Sequence, residues 1–110
     1  MVTTVKTDEL IQPILEIIIK EASPEKVILF GSRASGKNHP DSDFDFMIVV
    51  KDVQNEREVS RRINRALFDH KITFNVDIVV VSDITIHKHE NNPYFVYRQA
   101  LLEGKVFYER

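Results

Sequence analysis

The stretch Ile28-Leu29-Phe30-Gly31-Ser32-Arg33-Ala34-Ser35-Gly36, with the Ser42-Asp43-Phe44-Asp45-Phe46 that follows it, decides how the rest of the chain is read. An apolar run enters a Gly-Ser turn. After ten intervening residues an Asp-x-Asp pair opens a second apolar run, Phe46 to Val50. A strand alternates its side chains with period two, so Asp43 and Asp45 share one face while Phe44 and Phe46 share the other. Two carboxylates held side by side repel, and without a cation one tends to keep its proton. One or two magnesium ions, or manganese, turn that repulsion into a hard-oxygen ligand set. Gly31 permits a close backbone approach or an unusual dihedral. The residues after it read as a short helical turn whose amides face phosphate oxygens. Paired carboxylates beside a phosphate cradle predict metal-assisted chemistry on a nucleoside triphosphate. Gly31 and Ser32 are the expected phosphate binders, and Arg33 is a further candidate for neutralising a phosphate. The competing readings are a plain strand-to-helix turn, a solvent-exposed arginine and an exposed strand start. Asp41 shares the parity of Asp43, but Pro40 makes it a loop residue rather than a ligand.

Working outward, Lys26–Phe30 is predicted as a short central strand, apolar after its first residue. Residues 7–22 read as a helix, with Thr7 as N-cap, Asp8 and Glu9 in the first turn, and Leu10, Ile11, Ile14, Leu15 and Ile18 on one face. Pro13 belongs in a first turn, so this helix either begins later or is kinked. Residues 53–69 form a second helix, capped by Asp52 or by Asn55 in a capping box with Glu58. Val59, Ile63, Ala66 and Leu67 are its core face. Arg57, Arg61 and Arg65 lie on another face, a pattern more usual for a solvated surface, diluted by Glu56 and Glu58. Phe74–Val81 is a third strand. Its single charge, Asp77, is costly to bury unpaired. If the third strand lies beside the second, Asp77 completes a triad with Asp43 and Asp45; the alternative is a salt bridge to an arginine. Residues 82–91 are poorly patterned, with a short helix as the candidate reading. Asn92-Pro93 starts another helix, Gly104 ends it, and Val106–Tyr108 forms an edge strand.

A length of 110 residues predicts one domain spanning 1–110. Fifteen basic against seventeen acidic side chains leave a net charge of −2, so no general basic field draws in a nucleic-acid backbone, and no direct nucleic-acid binding is expected. The absence of cysteine excludes disulfides and thiolate metal sites and is compatible with the cytoplasm. The apolar runs are too short to span a bilayer, and the N-terminus does not read as a signal peptide. The four histidines show no metal-ligand spacing, and oxygen ligands suit magnesium rather than zinc.

Gly-Ser, ten residues, then Asp-hydrophobic-Asp-hydrophobic resembles the signature of the DNA polymerase beta-type nucleotidyltransferase superfamily. The fuller string Leu29–Gly36 followed by Ser42–Asp45 is similar to the minimal nucleotidyltransferases (MNT proteins), many of which pair with an all-helical HEPN protein as a toxin–antitoxin system. The resemblance covers nearly the whole chain. It implies an α+β fold of two layers, and because two strands carry acids on one parity and bulky apolar groups on the other, the expected form is a small mixed sheet with helices packed on one face and the carboxylates on the other. It also implies a two-metal nucleotidyltransferase in which Asp43, Asp45 and Asp77 are the catalytic metal ligands and ATP is the donor. Larger relatives carry a second domain for the acceptor, and about 65 residues after the Asp pair leave little room for one. By resemblance the acceptor sits on a HEPN toxin, and AMP passes to a hydroxyl there, often of tyrosine. A non-catalytic antitoxin that acts by occlusion is the alternative, although the full set of carboxylates argues against a decayed site. A phospho-receiver domain fits less well, because its acids follow strands whereas Asp43 and Asp45 open one. Arg65-x4-His70 and Arg33-x5-His39 superficially match the HEPN ribonuclease motif and are discounted, since that motif belongs to helical bundles.

Overall fold

The computed structural model describes residues 2–31, 36, 43–53, 55–72, 75–94 and 98–110. Their elements, in chain order, are α1 (Val2–Ala22), β1 (Lys26–Phe30), β2 (Phe44–Val50), α2 (Glu56–Asp69), β3 (Val76–Ser82), α3 (Asp83–His89), α4 (Arg98–Glu103) and β4 (Lys105–Glu109). The strands form one sheet in the order β3-β2-β1-β4. β1 runs antiparallel to both β2 and β4, whereas β2 and β3 are parallel. A parallel pair needs a long crossover, and α2 supplies it. The fold is therefore the expected α+β arrangement, a small mixed sheet with its two long helices on one face.

Strand period decides what each face carries. Val27 and Leu29 of β1 and Phe44, Phe46, Ile48 and Val50 of β2 point under the long helices. There they meet Ile11, Ile14, Ile17 and Ile18 of α1 and Val59, Ile63, Ala66 and Leu67 of α2. The rings of Phe44 and Phe46 stack at 6.4 Å between centroids, inclined by only 7°. The opposite face holds a smaller cluster, in which Ile28, Met47, Val49 and Val81 pack with Ala100 of α4, flanked by Ile86 of α3. α3 follows directly on the end of β3, whereas α4 packs on β1, with Gly104 after it lying against Ile28 and Leu29. Where β2 and β3 begin, the same rows continue as Asp45 and Asp77.

α1 starts earlier than its capping signals suggest and passes through Pro13, with no acidic residue in its first turn. A mid-helix proline forfeits one backbone hydrogen bond, but the four buried isoleucines of α1 tie the helix to the sheet, and tertiary packing outweighs local preference. At α2 the Asn55 side chain accepts from the Glu58 N–H at 3.1 Å, so Asn55 is the cap. The described part of β3 begins at Val76, the predicted start Phe74 lying outside the described residues, and ends at Ser82, whose hydroxyl accepts from the Ile84 N–H and caps α3.

Candidate active site

Asp43 immediately precedes β2, Asp45 is its second residue, and Asp77 is the second residue of β3. The parallel ladder sets Asp45 directly beside Asp77, in a register running from Phe44–Val76 to Val50–Ser82. A backbone hydrogen bond from the Phe44 N–H to the Asn75 carbonyl, 3.0 Å, fixes the start of that register. One carboxylate oxygen from each of Asp43, Asp45 and Asp77 lies within 4.8 Å of the others. The strand neighbours on which Asp77 depended are therefore the ones the chain adopts. The reason differs from the one read in the sequence. Asp77 is exposed rather than buried, so no partner is needed to offset burial. Its place follows from β3 being the edge strand beside β2.

The cluster is electrostatically tense. Partial burial pushes the Asp45 carboxyl above its ordinary range, and the neighbouring Asp77 and Asp43 carboxylates add to the rise. Nothing cationic among the described residues forms an ion pair with any of the three. Such a site relaxes by holding a proton or by accepting a cation. The donor set, three hard oxygens and no sulfur or imidazole, suits magnesium or manganese. Oxygens on one magnesium stand about 3–4 Å apart at its usual bond lengths, so a spread of up to 4.8 Å closes by side-chain rotation.

Gly31, one residue beyond β1, lies against this cluster because Phe30 is the ladder partner of Asp45. Its φ is +77°, and a Cβ there would lie 2.5 Å from Asp45 Oδ2. Gly31 thus combines the unusual dihedral and the close approach read at this position, and it leaves the space the Asp45 carboxylate occupies, a partner that the Gly-Ser turn did not disclose. No local signal would have found it, because the contact joins residues on neighbouring strands. Ser32 and Arg33, the other expected phosphate contacts, lie outside the described residues. His70 of the discounted Arg-x4-His pair is engaged locally, with Nδ1 2.8 Å from the Ala66 carbonyl oxygen.

The family model described as polymerase beta nucleotidyltransferase matches residues 12–110. No curated protein matches the sequence significantly. Among solved structures, the chain is similar to a Sulfolobus solfataricus protein described as a candidate nucleotidyltransferase. The TM-score is 0.65 at 23% identity, over 96% of this chain and 83% of that one. It is also similar to a chain of a toxin–antitoxin structure with AMP-PNP, with a TM-score of 0.53 and 20% identity over 89% of this chain and 73% of that one. At these identities the two structures speak for the fold.

Proposed function

We propose that this chain, which belongs to the polymerase beta nucleotidyltransferase family, transfers AMP from ATP to a hydroxyl, preferably of tyrosine, on a HEPN-type toxin and so acts as its antitoxin. The observation that carries the reading is the gathering of Asp43, Asp45 and Asp77 where β2 and β3 begin, with Gly31 shaped to the Asp45 carboxylate. Asp43 and Asp45 would hold the metal on the triphosphate, and all three acids would hold the metal beside the acceptor. Two divalent ions in such a site supply charge stabilisation for the attacking and leaving oxygens of an in-line displacement.

The protein's own share is positioning and charge. Asp77, at the strand edge and exposed, would help to deprotonate the acceptor hydroxyl and receive its proton. The hydroxyl oxygen forms the new bond to the α-phosphorus, the bond from that phosphorus to the bridging oxygen breaks, and pyrophosphate leaves with its electron pair. Gly31 and Ser32 would bring backbone amides to the triphosphate, with Arg33 as an added cation. A cytoplasmic location would suit the use of ATP. No helix among the described residues is long and apolar enough to cross a membrane.

The test is the intact mass of the partner after incubation with ATP and magnesium. A gain of about 329 Da, or a multiple of it, is expected from covalent transfer of AMP. Asp43→Ala/Asp45→Ala should abolish the gain. A partner that gains no mass yet is still inhibited by the double variant would replace transfer with inhibition by occlusion.

A further inference from the structure

The side of α2 that faces away from the core has an unusual composition. Val59, Ile63, Ala66 and Leu67 are its buried residues. At about 100° per residue, the diametrically opposite stripe holds Arg57, Arg61, Asn64, Arg65 and Phe68, all exposed. The arginines recur every four residues, about 6 Å apart along the axis. Phe68 projects between Arg57 and Arg61 in angle and is 81% exposed. None of the three arginines has an ion-pair partner among the described residues. The dilution expected from Glu56 does not occur. Its Oε2 is turned away, accepting from the Ser82 N–H at 2.6 Å and the Thr85 hydroxyl at 3.2 Å. Glu58 and Asp69 fall on one flank, about 20–40° past Arg65. Four of the seven arginines of the chain lie on α2, and no lysine does.

We propose that this outer face of α2 binds a single-stranded polynucleotide, with Arg57, Arg61 and Arg65 on successive backbone phosphates and Phe68 stacked on a base. An evenly repeated cation matches a polymer with one charge per unit. Arginine rather than lysine suits phosphate, whose oxygens its planar fork engages in pairs. An exposed aromatic within the cationic stripe is the second half of a sequence-tolerant single-strand site. The net charge of −2 does not oppose this, because at physiological salt charges beyond about 8 Å are largely screened and the local face decides. α2 also runs back from the end of β2 to the start of β3. Its last turn, with Arg65 and Phe68, therefore reaches the end of the sheet where the carboxylates lie, on the opposite face. The inference does not rest on AMP transfer.

The experiment is fluorescence anisotropy of labelled short oligo(U) and oligo(dT) with the whole chain, in chelator, so that no metal bridges the oligomer to the carboxylates. Three phosphate contacts on a single strand give a slope of log affinity against log salt of roughly −2. Arg57→Gln/Arg61→Gln/Arg65→Gln should flatten the slope towards zero and weaken binding at least about tenfold at low salt. The corresponding triple lysine variant should keep the slope. Phe68→Ala should weaken binding about fivefold or more and leave the slope unchanged. All four positions are exposed, and circular dichroism checks that α2 persists. Binding of either oligomer on these terms supports the proposal, and the ratio between them tells RNA from DNA. Absence of binding at about 50 mM salt, or binding indifferent to the glutamine and alanine variants, overturns it. So does a glutamine variant that keeps oligomer binding but loses a complex with an acidic protein, which would make the stripe a protein interface.

Discussion

Asp45 carries the clearest residue-scale consequence of the site. Its folded-state pKa is raised by burial and by the Asp77 and Asp43 carboxylates, so the folded chain holds that proton more tightly than the unfolded chain. Between the ordinary and the raised value the folded state binds more protons, and stability therefore falls as pH rises through that window. Above the raised value the ionised Asp45 is a standing destabilisation. Asp45→Asn should accordingly raise the melting temperature of the metal-free protein at neutral pH. The gain should shrink towards pH 3, where Asp45 is protonated in both states. Thermal melts at a series of pH values in chelator check this; a variant no more stable than the parent at pH 7 would show that the three acids are too well solvated to repel. At this scale the sequence was most legible. Strand period alone put Asp43 and Asp45 on one face. The fit of Gly31 to Asp45 was not legible, because it depends on the register between β1 and β2, and single-strand patterns do not encode register.

At the scale of elements, signals survived where local chemistry and tertiary packing agree. β1 falls where its apolar run predicts, and α2 begins at the predicted capping box, with Asn55 accepting from the Glu58 N–H. Asn55→Ala should destabilise the fold by about 1 kcal/mol. Denaturant melts should show a lower midpoint with an unchanged slope, since the buried area is the same. A cost near zero would mean that Glu56, anchored to Ser82 and Thr85, already fixes the start of α2 unaided. Signals failed where the packing partner was out of sight. α1 runs through Pro13 because its isoleucines bury against the sheet. α3 lacks a helical apolar stripe, and its seven residues are capped by Ser82 from the end of β3. Gly104 follows α4 as expected but without a left-handed φ. It is needed because a Cβ would collide with Ile28 and with the Ala100 and Leu29 carbonyls.

Across the whole molecule, the fold divides its sheet into a covered face and a divided one. The long helices bury the even residues of β2 throughout. On the other face the odd rows change from carboxylate to apolar within two residues, at Asp45–Met47 and Asp77–Val79. The mixed sheet with helices on one face was legible because two strands carry acids and bulky apolar groups on opposite parities. The packing of α3 and α4 on the apolar cluster of that other face was not, since neither short helix has a pattern that names its partner strand.

That division predicts how stability responds to ligand. A cation and a triphosphate together relieve the repulsion among Asp43, Asp45 and Asp77, whereas either alone relieves less: magnesium keeps its waters reluctantly displaced by protein alone, and a triphosphate without metal adds anionic charge beside the acids. A non-hydrolysable ATP analogue with magnesium should therefore raise the melting temperature, by on the order of 10 °C at a hundredfold excess over its dissociation constant. Analogue in chelator should produce little shift. The comparison must be of shifts rather than of absolute melting temperatures, because removing the acids itself stabilises the ligand-free chain. In Asp43→Asn/Asp45→Asn the baseline should rise while the ligand-induced shift disappears, and those opposite movements distinguish a metal–nucleotide site from a merely acidic surface. An equal shift in chelator, or an undiminished shift in the double variant, would mean that the nucleotide binds elsewhere.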